Sequence, residues 1–345
     1  MLKRLSVMAP IIGATGMSIA LSLPAHADTD DPLADPISLA GSTNAIFLGG
    51  TAQPTPSTAY VEAANELFLK PLGFSDAATS ICNMVGNLPC DGSLQVLSTP
   101  ELFQFGPSSL QDETNIVYAI EAAYHSNLMS ADDPLTVFAY SQSAIAVSAA
   151  EKILAQDGIP SEDLHFVFIG DPSDANGIAT NIYADLVQLF GGGDTGTTIT
   201  DEVLKAINED QFAPGGLLAD YTPNDLYPTT IYDIHYDGVS DWQEDWDFGV
   251  NAPGGSPLLG LANGLFHFFT THVEYLGLTP EDVASGVATT TGLTTTIEIP
   301  DWTDSGAIIN DAAALIGSFS HGVADSGAIT ALLETVAALF DPVYS

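Results

Sequence analysis

Ten residues constrain this chain more than any others. Leu135, Thr136, Val137, Phe138, Ala139 and Tyr140 form an apolar, β-prone run. Ser141 ends it, and Gln142, Ser143 and Ala144 open a small-residue helical pattern. A continuous apolar run of this length is the signature of a strand covered on both faces, as in parallel sheets. A strand that turns into a helix at a serine holds that hydroxyl out at the sheet's end, which is the layout of a nucleophile elbow. The usual pattern is G-x-S-x-G, whereas here Ala139 and Ser143 flank the serine. Both are small. Strand and helix backbones approach closely at such a turn, so smallness is the steric requirement.

The surrounding pattern alternates strand and helix. Apolar runs at 45–48, 94–97, 135–140 and 164–169 predict strands, and residues 229–236 predict another. Helical spacing occurs at 60–69, 113–124 and 143–155. Alternation of this kind predicts a mostly parallel α/β sheet with helices on both faces. Residues 184–225, with glycines at 191–193 and 215–216, read as a loop-rich insertion. Residues 258–269 read as a buried apolar helix. Residues 281–345 read as a helical C-terminal extension, and residues 28–44 as a flexible lead-in to a domain spanning 45–280.

The N-terminus reads as an export signal over residues 1–27. Lys3 and Arg4 precede a short apolar segment, and Ala25, His26 and Ala27 form an A-x-A cleavage site. Nothing downstream approaches the ~20 apolar residues of a membrane span. The expected location is therefore extracytoplasmic, secreted or in the cell envelope. Cys82 and Cys90 are expected to pair as a small-loop disulfide in that compartment.

Charge narrows the partners. The formal net charge is −39, and beyond residue 27 the basic residues are Lys70, Lys152 and Lys205 alone. Such a field repels phosphate backbones, which excludes nucleic acid as a partner. With no arginine in that stretch, an anionic substrate has no bidentate clamp. A neutral ester or lipid substrate remains.

A serine nucleophile needs a base, and the base needs an orienting carboxylate, in the chain order Ser, Asp, His. His125 and His165 come too early in the fold and His235 lies in a predicted strand. Of His267, His272 and His321, His272 opens a loop after an apolar helix, which suits a catalytic base. Asp237 follows a predicted strand and is the preferred acid, with Asp241 as the alternative. Two backbone N–H groups must meet the developing oxyanion. Gln142, next to the serine, supplies one, and Thr51, in the turn Gly49-Gly50-Thr51, supplies the other. This chemistry calls for neither metal nor cofactor.

Five blocks in order resemble the PE-PPE domain family, mycobacterial cutinase-like serine hydrolases. Residues 138–144 resemble its G-Y-S-Q-S-A block, and Gly49-Gly50-Thr51 its opening turn. Gly170-Asp171-Pro172 with Asn176-Gly177 resembles its G-[DN]-P…N-G-G segment. Residues 236–241 resemble Y-D-G-x-A-D, with Ser240 in place of the usual alanine. Asn263-Gly264 with His272 and Tyr275 resembles its N-x-x-x-G…H-x-x-Y ending. The likeness covers residues 45–277. It implies an α/β-hydrolase fold, a Ser141, Asp237, His272 triad and esterase activity on short to medium acyl esters. Acyl transfer in envelope lipid assembly is the alternative activity, and a non-catalytic interaction role on the same scaffold is the third reading.

Overall fold

The computed structural model describes residues 38–75, 77 and 80–300. The export signal expected at 1–27 and the segment from 301 onward lie outside the described residues. Strands β1 (Ala45–Phe47), β2 (Ile81–Asn83), β3 (Leu94–Val96), β4 (Leu135–Tyr140), β5 (Leu164–Ile169), β6 (Thr229–Ile234), β7 (Val287–Thr291) and β8 (Thr294–Ile299) form one sheet. Its order is β2-β3-β1-β4-β5-β6-β8-β7. All neighbours run parallel except the β7–β8 hairpin. The helices are α1 (Thr58–Ala64), α2 (Phe105–His125), α3 (Gln142–Gln156), α4 (Ile178–Leu189), α5 (Gly193–Ala206), α6 (Trp242–Asn251), α7 (Pro257–Phe269) and α8 (Pro280–Ala284).

Period-two alternation along the central strands sends side chains into two cores. Phe47, Phe138, Ile169 and Tyr232 pack on one face with Val61, Phe68 and Tyr275. Ile46, Val137, Ala139 and Phe168 pack on the other with Ile116, Ile120 and Val147, from α2 and α3. Burying a side chain such as Phe138, wholly shielded from solvent, contributes up to about 3 kcal/mol. The chain leaves β1 toward the β2–β3 side of the sheet and leaves the adjacent β4 toward β5 on the other side. The crevice beyond the carboxyl ends of β1 and β4 is therefore a topological switch point, where open α/β sheets place their sites.

Four expectations are corrected. Residues 281–299 are not a helical extension: beyond the short α8 they form the β7–β8 hairpin, and β8 pairs with β6 from Thr229↔Thr294 to Ile234↔Ile299. Threonine is β-branched, and its stiffness at χ1 favours strands. The 184–225 segment is mostly helical, with α4 and α5 joined by a tight turn. The glycines 191–193 all take positive φ in that turn, so they punctuate helices rather than dissolve them. The described part of the lead-in is anchored: Leu39 is buried and its N–H donates to the Leu72 carbonyl at 2.7 Å. Finally, α7 is not a buried helix. Leu258, Leu259 and Leu265 are exposed, and Gly260, Asn263 and Gly264 are the residues packed inward.

Candidate active site

Ser141 sits between β4 and α3 with φ 57° and ψ −121°. A non-glycine residue in this region costs of order 1–3 kcal/mol and persists only where its surroundings enforce it. Several contacts do so. The Ser141 N–H donates to the Ile169 carbonyl at 3.2 Å and its own carbonyl accepts from Ala144 N at 2.9 Å. Ser143 Oγ accepts from Tyr140 N at 3.0 Å and lies 3.1 Å from the Tyr140 carbonyl. Ser143 thus fills the second glycine position with a side chain that bonds back to the strand end. Ala139 fills the first, fully buried in the sheet.

His272 stands in a short turn after α7. Its Nε2 lies 2.8 Å from Ser141 Oγ. Its Nδ1 lies 2.8 Å from Asp237 Oδ2 and 3.0 Å from Oδ1. A carboxylate only accepts, so Nδ1 carries the proton and Nε2 presents a lone pair to the serine. Tyr140 fixes the ring from one side, with ring centroids 5.3 Å apart and its hydroxyl donating to the His272 carbonyl at 2.6 Å. Phe268 packs at 5.7 Å. Gly170, at φ +54°, lies beneath: a Cβ there would come within 2.7 Å of His272 Cε1. Gly50 makes a comparable approach, since its Cβ would meet the Tyr140 ring at 2.9 Å.

Asp237 is wholly buried. Besides His272, its carboxylate accepts from Val239 N at 2.8 Å, Ser240 Oγ at 2.9 Å and Tyr275 Oη at 2.7 Å. Burial pushes this carboxyl up. The charge interaction with His272, with hydrogen bonds from His272, Tyr275 and Val239, outweighs burial and holds it below the ordinary range. Asp241, the alternative acid, does not reach His272. Its Oδ2 accepts from Tyr236 N at 3.0 Å and its Oδ1 from Asn176 Nδ2 at 3.3 Å. It braces the turn that carries Asp237. Burial, with repulsion from Glu244, Asp245 and Glu298, pushes it up to about 8 despite the hydrogen bond from Tyr236.

Thr51 Oγ1 donates to Gln142 Oε1 at 3.0 Å, tying the turn after β1 to the first residue of α3. The N–H groups of a helix's first turn have no intrahelical acceptor, so that of Gln142 is free for a ligand. Thr51, Ser141 and Gln142 border a cavity of about 50 Å³, walled by Phe105, Ile145, Ile178, Phe212, Val239 and Phe268. Cys82 and Cys90 are joined as a disulfide, clipping β2 to the loop before β3. His267, passed over as the base in favour of His272, bonds Asp245 Oδ1 at 2.5 Å.

Three participants escaped sequence reasoning: Tyr275, Ser240 and Asp233. Tyr275 had a signal, the spacing of three from His272. Ser240 also had one, as the departure from alanine. Asp233 had none beyond its place within a predicted strand, where it stands among threonine, tyrosine and isoleucine.

The PE-PPE domain model matches residues 91–302. Two proteins of Mycobacterium tuberculosis (strain ATCC 25618 / H37Rv) are related by sequence. One is named uncharacterized PPE family protein PPE28, 28% identical over 254 residues; the other is esterase PE16, 28% identical over 259 residues. These matches cover 73% and 72% of this chain but 32% and 39% of the relatives, so the chain spans well under half their length. Among solved structures, a cutinase-like protein from Cryptococcus sp. is 18% identical, over 70% of this chain and 98% of that one, with a TM-score of 0.32. The esterase EstE5 is 14% identical, over 83% and 79%, with a TM-score of 0.32. The sheet order, the elbow and the family match agree on an α/β-hydrolase fold, and the chain belongs to the PE-PPE domain family.

Proposed function

We propose that this protein is an extracytoplasmic serine esterase acting on neutral esters with short acyl groups. The observation that carries the reading is the unbroken line from Asp237 through His272 to Ser141, with both links at 2.8 Å. Ser141 Oγ attacks the ester carbonyl carbon while His272 Nε2 takes its proton. The carbonyl oxygen becomes an oxyanion, met by the backbone N–H groups of Gln142 and Thr51. The C–O bond to the alcohol then breaks, and His272 returns the proton to the departing oxygen. An acyl group is left on Ser141. Water attacks it, His272 takes the water proton, and the acid leaves as Ser141 recovers its own.

The apolar walls of the cavity beside Ser141 suit an acyl group, and its small volume suits a short one. The −39 formal charge favours neutral substrates over anionic ones. The test is turnover of p-nitrophenyl acetate, butyrate and octanoate by the wild type and Ser141→Ala. The reading expects acetate and butyrate to be preferred and the variant to be inactive. Undiminished turnover by Ser141→Ala overturns it. Free acid as product, even with a polyol present in excess, supports hydrolysis over acyl transfer.

A further inference from the structure

Behind the triad acid lies a second carboxyl. Asp233, on β6, is 5% exposed, and Ser240 beside it is fully buried. Ser240 Oγ touches both Asp233 Oδ1, in a very short contact, and Asp237 Oδ2 at 2.9 Å. Tyr275 Oη lies 2.7 Å from Asp237 Oδ2 and 3.4 Å from Asp233 Oδ1, and accepts from Ile234 N at 3.0 Å.

The protons can be counted. Tyr275 has one, and the shorter contact gives it to Asp237. Ser240 has one proton and faces two carboxyl oxygens and, at 3.2 Å, the Tyr275 hydroxyl, so it can satisfy at most one of the carboxyls. Were Asp233 ionised, the other contact would be two lone pairs facing each other away from water, beside a second anion. One more proton removes the conflict. Placed on Asp233, it is donated to Ser240 Oγ, which frees the serine's own proton for Asp237.

We propose that Asp233 is a neutral carboxylic acid that positions the triad acid through a directed chain, Asp233 to Ser240 to Asp237. Asp233 touches neither substrate nor the reacting atoms, so it is a positioning residue. Burial first, then repulsion from Asp241, Asp237 and Asp174, outweighs the Ser240 contact, which lowers it, and pushes its carboxyl well above the usual range. The groups whose charge reaches it are thus all carboxyls, with His272 one step further, across Asp237. The consequence is that Asp237 receives a donor from Ser240 in addition to those from His272, Tyr275 and Val239.

The inference rests on the serine-esterase reading for its kinetic arm and not for its spectroscopic arm. Asp233→Asn keeps the shape and an N–H donor toward Ser240 without an ionisable group. If Asp233 is neutral, the pH profile of kcat/KM for p-nitrophenyl butyrate overlays that of the wild type on its acid limb. Ser240→Ala removes one donor from Asp237 and makes that carboxylate a stronger partner for the imidazolium. Its acid limb moves up by about half a pH unit and kcat/KM falls roughly fivefold, with KM unchanged. An acid limb displaced downward in Asp233→Asn, as expected on removing an anion, overturns the proposal. Infrared difference spectra of wild type against Asp233→Asn at pH 7.5 read the proton directly. The proposal expects loss of a protonated-carboxyl C=O band. Loss of carboxylate bands alone overturns it, even in a protein without esterase activity. A wild type inert toward esters, but with that band present, would sink the esterase reading and leave the proton assignment standing.

Discussion

The chain bends toward Ser141 and toward Asp237 through one residue each with positive φ, Ser141 at 57° and Tyr236 at 60°. The two turns are nonetheless held by different forces. The elbow after β4 is held by close packing: Ala139 is sealed in the sheet, Gly50 and Gly170 leave no room for a Cβ, and Tyr140 and Phe268 pack against the histidine ring. The turn after β6 is held by polar bonds to carboxyls, with Asp237 and Asp241 accepting from Val239, Ser240, Tyr275, Tyr236 and Asn176. The difference follows from what each turn delivers. A hydroxyl needs only to be aimed, whereas a buried carboxylate must be aimed and also kept charged.

The largest way to break this comparison is at the acid turn. Asp237→Asn cannot accept the His272 Nδ1 proton in the same way and leaves the imidazole in the wrong tautomer. An approximately 10⁴-fold fall in kcat is expected. Asp241→Asn keeps an oxygen for the Tyr236 N–H, so its kcat on the same ester is expected to stay within about tenfold of wild type. Comparable losses in the two variants would contradict the assignment of the acid.

The packing side is tested at Gly170. Gly170→Ala forces a methyl group against His272 Cε1 and places alanine at φ +54°. Displacing the base by a fraction of an ångström to an ångström is expected to cost about 10²-fold in kcat, with circular dichroism of the folded protein retained. An unchanged rate would mean that the histidine is not seated by contact.

Titration separates the two turns further, because the elbow carries no carboxyl. Burial pushes Asp241 up to about 8 and Asp245 up to about 6. Elsewhere it raises Glu101 to about 9 and Asp171 to about 7. A carboxyl with a raised folded-state pKa binds more protons in the native state than in the unfolded one. Its stabilising contribution is full below the unfolded pKa of about 4 and is lost as pH rises through the folded value. Asp237 has the opposite sign, and its contribution is lost as pH falls below the ordinary carboxylate range. The thermal midpoint is therefore expected to fall by several degrees between pH 5 and pH 9. A midpoint that rises over that window would contradict the buried-carboxyl account.

The smallest effect lies in the elbow's hydrogen bonds. Ser143→Ala removes the hydroxyl that bonds the Tyr140 backbone and is expected to cost about 1 kcal/mol in denaturant unfolding, with kcat within a few-fold of wild type. Ala139→Gly, which restores the usual elbow residue, is expected to lower stability by about 0.5–1 kcal/mol without raising kcat. A large gain in rate would show that glycine itself, not smallness, is what the turn needs.

The same contrast governs what was legible in the sequence. The elbow could be read because packing leaves a one-dimensional trace: an apolar strand, a serine, then small residues. Asp237 and His272 could be ranked from their places after a strand and after a helix. Ser240, Tyr275 and Asp233 could not be assembled, because their bonds join β6, the following turn and the segment after α7, which only the folded sheet brings together. The β7–β8 hairpin was missed for a related reason. A threonine-rich stretch lacks the apolar run that marks a buried strand, and its pairing with β6 spans some 65 residues of sequence. The glycines at 191–193 misled in the other direction, since a turn between two helices and a long loop share the same composition.

The central claim is that Ser141 is a nucleophile activated by His272. A fluorophosphonate probe followed by peptide mapping tests it in one step. The account predicts a single adduct on Ser141, absent from Ser141→Ala and much slower to form in His272→Ala. Folded protein that takes up no probe, or carries its adduct on another residue, would contradict it.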